Sequence, residues 1–303
     1  MNRRELIKSL SILSITGLVA PSITFGSKAP FFKISLAEWS LHRTLQSGKM
    51  TNLNFPIVAK QEFGISAVEY VNSFFKDKAQ DASYLKELLS RCNGEGIKNL
   101  LIMCDGEGSL GDPDQSLRTK AVENHFRWLE AAAHLGCHSI RVNAAGKGSK
   151  EEISKTAADG LYKLSERAGQ MKLNVIVENH GGYSSIGSWL SNVIAQVNLP
   201  NCGTLPDFGN FCVKWESNGC AEEYDRYLGV EELMPYAKAV SAKSYDFDAN
   251  GNCIETDYLK MLQIIKKSDY TGYIGIEYEG SRLSEKEGIA ATLNLLNNVG
   301  SQL

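Results

Sequence analysis

KLNVIVENHGG, residues 172–182, carries four apolar side chains, Leu173, Val175, Ile176 and Val177, into Glu178, Asn179, His180 and a pair of glycines. A short β-branched run of this kind reads as a buried strand. Its last residue is then a problem, because a lone ionised carboxylate costs several kcal/mol to bury unless a cation or hydrogen-bond donors meet it. Something positive is therefore expected at this strand end. Seven further runs resemble it: FFKISL (31–36), AVEYV (67–71), KNLLIMC (98–104), HSIRVN (138–143), GTLPD (203–207), AVSAK (239–243) and YIGIE (273–277). Longer stretches with helical spacing lie between them, at 81–96, 119–136, 154–171 and 257–270, several with a glycine at or just past the end as a C-terminal cap. Eight βα units in about 270 residues predict an α/β protein of one domain, a closed (β/α)8 TIM barrel over residues 31–303.

The composition is that of a folded globular chain: 303 residues, 43% hydrophobic and 22% charged. A formal charge of -3 with no long basic run argues against nucleic acid as a partner. The first thirty residues, MNRRELIKSLSILSITGLVAPSITFGSKAP, have a basic start, an apolar stretch and small residues near the end, the pattern of an export signal. Arg3 and Arg4 followed by Glu5, Leu6, Ile7 and Lys8 resemble a twin-arginine signal, although Asn2 stands where Ser or Thr is usual and no clear A-x-A site follows. The other reading of this segment is an uncleaved membrane anchor; it contains no Cys for a lipid. Removing residues 1–28 takes away four basic and one acidic residue and leaves the chain at -6. The expectation is an exported, periplasmic protein with no membrane attachment after signal removal. Seven cysteines, Cys92, Cys104, Cys137, Cys202, Cys212, Cys220 and Cys253, are odd in number and form no C-x-x-C pair. Neither a complete disulfide framework nor a zinc knuckle is indicated, and most are expected to be small buried residues.

The barrel gives Glu178 a geometry. Chemistry in this fold collects at the C-terminal ends of the strands, and Glu178, Asp207 and Glu277 each end a predicted strand, the fifth, sixth and eighth. Alternation puts Glu178 on the side of Ile176 and Glu277 on the side of Gly275. If those sides face inward, three carboxylates converge, and their mutual repulsion calls for a cation between them. The bland alternative is that each acid caps an amide or pairs with an arginine. All-oxygen ligands suit Mg²⁺ or Mn²⁺ better than Zn²⁺.

The series EN-H at the fifth strand, PDFGN at the sixth and GIEYEG at the eighth resembles the xylose isomerase-like TIM barrel superfamily, the sugar phosphate isomerase/epimerase group, from residue 32 onward. The resemblance implies one divalent metal held by Glu, Asp, His and Glu from the fifth to eighth strands, with the two Glu residues exchanging protons with a sugar. Glu178, Asp207 and Glu277 match the three acids. The histidine has no match: where the family shows H-x-K at the seventh strand, this chain reads VSAKSYDFD, with Ser241 at the ligand position and Lys243 at the lysine. Water, Asn210 or His180 would complete the shell. His125 and His134 fall on a predicted helix, and these two and His138 read as structural or surface residues; His42 is the exception.

Other strand ends supply groups for a polyhydroxylated ligand. SLAEWSLH offers Glu38, Trp39 and His42, an aromatic beside polar groups that suits a sugar ring. Glu69 and Asn72, Asp105 and Glu107, Arg141 and Asn143 follow at the next three strands, and His180 and Asn210 beyond them. Singly each reads as a loop cap; their recurrence at successive strand ends marks a binding mouth. Lys243 would neutralise an acid or stabilise a developing oxyanion. The expected function is a metal-dependent isomerase or epimerase, with Glu178, Glu277 and Lys243 catalytic, that removes a proton beside the carbonyl of a keto sugar. Few basic groups beyond Arg141 and Lys243 stand at strand ends, which favours a non-phosphorylated carbohydrate. Two alternatives keep the same barrel: a 3-keto-glycoside lyase using the same enolate chemistry, and a metal-free sugar-binding protein. The related endonuclease IV barrels need a His cluster and a basic surface that this chain lacks. The expected partner is a small carbohydrate, with self-association into a homo-oligomer left open.

Overall fold

The computed structural model describes residues 29–303, so the export-signal expectation for 1–30 lies almost wholly outside the described residues. Eight parallel strands form the barrel wall: β1 (Lys33–Ala37), β2 (Ala67–Val71), β3 (Lys98–Met103), β4 (Ser139–Val142), β5 (Asn174–Glu178), β6 (Cys202–Leu205), β9 (Val240–Ser244) and β10 (Tyr273–Tyr278). Between β6 and β9 the chain adds an antiparallel ribbon outside the wall, β7 (Cys212–Glu216) and β8 (Gly219–Glu223). The eight runs read from the sequence are the eight wall strands. The sheet runs in the order β6-β5-β4-β3-β2-β1-β10-β9. Its two ends meet through sparser contacts, with Thr204 bridging Ala237 and Asp207 bridging Ser241. Pro206 explains why β6 stops at Leu205 and not at Asp207 as expected: proline has no N–H for the ladder. The chain nevertheless continues alongside β9, where Ser241 N–H donates to Pro206 O at 2.9 Å and Phe208 N–H donates to Ser241 O at 3.1 Å.

The helices pack outside. Gln115–Leu135 and Lys150–Gln170 each begin four residues before the apolar periodicity does. Asp114 accepts from the N–H groups of Ser116 and Leu117, and Ser149 forms a reciprocal capping box with Glu152; such caps contribute about 1 kcal/mol each. Gly96 and Gly136 close the helices Ala82–Glu95 and Gln115–Leu135 in the left-handed conformation, as their position in the sequence predicts.

Alternation along each strand sorts the core into two bodies. Residues such as Val68, Ile102, Ile140, Val175, Val177, Ile274 and Ile276 pack against the helices. The opposite set, Ala37, Ala67, Val71, Leu101, Met103, Ile176 and Leu205, forms a smaller apolar cluster inside the barrel. Burying one such Leu or Ile side chain is worth about 1.5–3 kcal/mol, so a one-residue slip of any strand is strongly disfavoured. The inward set also contains polar residues. Glu69 is fully buried, and Gly275 faces it so closely that a β-carbon there would stand 2.6 Å from its carboxylate. Only glycine leaves room for that acid.

The ribbon turns through Ser217 and Asn218, with Gly219 at φ 121°, and a disulfide joins Cys212 to Cys220. That pairing was not foreseen from the cysteine pattern. The other five cysteines are free and buried, as expected. No described helix is long and apolar enough to cross a membrane.

Candidate active site

At the C-terminal mouth of the barrel, Glu178 closes β5, Asp207 follows β6 by two residues and Glu277 lies in β10. Oxygens of the three carboxylates lie within 4.8 Å of one another, and all three residues are buried. The convergence predicted from strand parity is present. Each acid is held in place by its neighbours. Asn210 Nδ2 donates to Glu178 Oε1 at 2.9 Å, and Ser241 Oγ donates to Glu277 Oε2 at 3.0 Å. Asp207 Oδ1 accepts from the N–H groups of Gly209 and Asn210, so the turn PDFGN is built on its own aspartate. Asn179 fixes that turn from β5: its Nδ2 donates to Asp207 O, and its Oδ1 accepts from Asp207 N–H at 2.7 Å.

Two cations approach the acids. Arg141 Nη1 donates to Asp105 Oδ1 at 2.7 Å, and its Nε lies 2.8 Å from Glu178 Oε2 without aiming its N–H at it. Lys243 Nζ is 3.4 Å from Glu277, 4.0 Å from Asp207, 3.3 Å from Glu279 and 3.4 Å from Asn210 Oδ1. Five acids, Asp105, Glu178, Asp207, Glu277 and Glu279, thus surround two cations. Burial pushes the carboxyls of Glu178 and Asp207 up to about 7, against the pull of Arg141 and Lys243 respectively. Burial also pushes Glu277 up, but Lys243 and Arg141 outweigh it and hold that group below the usual carboxylate range. Lys243 is desolvated too, yet Asp207, Glu277 and Glu279 keep its ammonium firmly charged.

A divalent cation fits this chemistry. Asp207 Oδ2 is buried with no hydrogen-bond donor, and Glu178 Oε2 has only the poorly aligned Arg141 Nε at 2.8 Å, a state that buried carboxylates do not keep without cost. The donor set of three carboxylates, with Ser241 where the family histidine would stand, is a hard one.

The remaining candidates separate into two groups. Asn143 donates to Asp105 Oδ1 at 2.7 Å and, with the exposed His180, lines a cavity of about 430 Å³ beside the mouth. Asn210, Arg141 and Lys243 join the acids directly. Glu38, by contrast, is buried under the first loop, accepting from Asn52 Nδ2 at 2.8 Å and Val71 N–H at 2.9 Å. Asn72 ties the second loop to the third by exchanging hydrogen bonds with the Asp105 backbone. Trp39 stacks on His42 at 5.0 Å and lies near Phe74. His42 Nδ1 contacts Trp39 O at 2.7 Å, so these two residues brace each other on the rim. The residues Asn179 and Glu279 were not among the sequence candidates; the EN dipeptide across the end of β5 was the one signal for Asn179.

Residues 58–299 match the family model described as xylose isomerase-like TIM barrel, and the chain belongs to that family. No protein of curated function matches its sequence. Solved structures share the fold at low identity. The IolI protein with a bound zinc atom superimposes with a TM-score of 0.67 at 16% identity, covering 89% of this chain and 99% of that one. The 3-keto-D-glucoside 4-epimerase YcjR from E. coli gives 0.63 at 16%, covering 88% and 99%. A xylose isomerase-like TIM barrel protein from Mycobacterium smegmatis in complex with magnesium gives 0.63 at 15%, covering 89% and 97%.

Proposed function

We propose that this protein is a metal-dependent isomerase or epimerase of a non-phosphorylated keto sugar, acting by proton transfer beside the carbonyl. The observation that carries the reading is the meeting of Glu178, Asp207 and Glu277 at the barrel mouth, with oxygens within 4.8 Å of one another. These three residues would hold the divalent ion, Mg²⁺ or Mn²⁺, which when bound supplies Lewis-acid polarisation of the sugar carbonyl. Glu178 takes the proton from the carbon next to the carbonyl; its buried carboxylate at the end of β5 lies among the three converging acids, where a general base is needed. Asn210 orients that carboxylate through Oε1. Lys243, buried and charged, faces the negative charge that develops on the sugar oxygen. Glu277, brought in from β10 and held ionised, would take a proton from solvent and deliver it to the carbon from its own side, which sets the product's configuration. Among the described residues, Arg141 and Lys243 are the cationic side chains paired with these acids, and their engagement by carboxylates favours a non-phosphorylated sugar.

The 3-keto-D-glucoside 4-epimerase with this fold supports a keto sugar as substrate class. Were the sugar to carry a leaving group β to the carbonyl, the same proton removal would expel it, and product analysis separates the two outcomes. A protein that only binds sugar would leave the carbon-bound proton in place. Incubation with keto sugars in deuterated water is therefore the test. Exchange at the carbon beside the carbonyl is expected with the native protein and is expected to fall by about 10²–10⁴-fold in Glu178→Gln, which stays folded. Undiminished exchange in that variant would remove Glu178 from the role of base.

A further inference from the structure

The ribbon β7–β8 stands on the rim of the site and separates two cavities. Val213, Lys214 and Glu222 face the cavity of about 430 Å³ that His180 and Asn143 also line. Trp215, with Cys212, Cys220 and Glu223 of the ribbon, lines a second cavity of about 210 Å³ that Asn210 and Tyr245 also line. Asn210 hydrogen-bonds Glu178 and Lys243, so one side chain links this cavity to the carboxylates. Trp215 is 68% exposed, the most exposed large apolar side chain among the described residues. What marks this indole is that it lines a cavity together with polar side chains. The disulfide between Cys212 and Cys220 lies in the same wall and fixes the ribbon that carries the indole.

An aromatic side chain sharing a cavity with an amide, a carboxylate and a phenol is a set of groups that holds a pyranose, whose C–H face stacks while its hydroxyl edge hydrogen-bonds. The cavity has room for one hexose ring. We propose that it is a subsite for a second sugar ring, so that the substrate is a glycoside: the keto ring sits at the carboxylates and the ring bonded to it stacks on Trp215. This rests on the keto-sugar reading above and narrows its substrate class from free ketoses to disaccharide-sized glycosides.

Binding tests the subsite independently of catalysis. The full chain, with its disulfide intact, is titrated by calorimetry with glucose and with cellobiose, maltose, sophorose and trehalose. At least one disaccharide is expected to bind about tenfold more tightly than glucose, which corresponds to about 1.4 kcal/mol. Trp215→Ala is expected to erase that advantage and leave glucose binding unchanged, and Trp215→Phe to retain most of it. Because Trp215 is exposed, its replacement leaves the core untouched. The proposal is overturned if no disaccharide binds more tightly than glucose, or if Trp215→Ala keeps the advantage. Loss of deuterium exchange with keto sugars alongside a Trp215-dependent disaccharide preference would instead refute the isomerase reading and leave the subsite standing.

Discussion

Glu69 shows how much the inside of this barrel depends on single side chains. It is buried below the three carboxylates, takes one hydrogen bond from Ser35 Oγ at 2.6 Å, and has an oxygen with no partner. Burial pushes its pKa up to about 8, from 4.5 in an unstructured chain. Between those values the folded protein binds a proton that the unfolded chain does not. Its stabilising contribution is therefore complete below the unfolded value and is lost as pH rises through the folded one. Glu69→Gln, which cannot ionise, should gain in Tm over the native protein as pH is raised from about 5 to about 9 in the presence of a chelator. A Tm difference that stays constant with pH would refute the raised pKa. At this scale the sequence was only half legible. Glu178 and Glu277 declared themselves by ending apolar runs. The partnerships of Arg141 with Asp105, and of Asn179 with Asp207, did not, because they are fixed by the register between strands. Glu38 looked like a mouth residue for the same reason: nothing local says that Asn52 and Val71 N–H will enclose it.

Among the elements, the eight wall strands could be read because each is a compact β-branched or apolar run with helical spacing on either side. Asp207 was placed on its strand although Pro206, visible in the sequence, ends the ladder before it. The ribbon was not read at all. CVKWESNGC alternates charged with apolar residues around Asn218-Gly219, a hairpin signal, but it lies in a connection whose core contribution is small and whose cysteines looked unpaired in an odd set of seven. A disulfide of this sort typically contributes about 2–4 kcal/mol, here to the ribbon and not to the barrel. In the double variant Cys212→Ser, Cys220→Ser, amide exchange across residues 212–223 should accelerate while that of β5 stays unchanged. Faster exchange in both would mean that the ribbon supports the wall.

For the molecule as a whole, the closed cylinder brings together acids that are 29 and 70 residues apart in the chain, from 178 to 207 and from 207 to 277. Bringing them together concentrates negative charge, and a bound cation should be felt as global stability. Mn²⁺ at about 100 times its Kd is expected to stabilise the fold by about 2.7 kcal/mol, read as a rise in Tm, and Asp207→Asn to abolish most of that rise. An unchanged Tm in Mn²⁺ and Mg²⁺ would count against the ion and favour Lys243 as the resident positive charge.

Where β6 meets β9 the wall lacks a continuous ladder, and Asp207 and Ser241 sit on either lip of that join. Glu178 lies one strand to one side and Glu277 one strand to the other. A cation that bound all three acids would rivet the cylinder across that sparse join, so loading the mouth and locking the hoop shut would be one mechanical event.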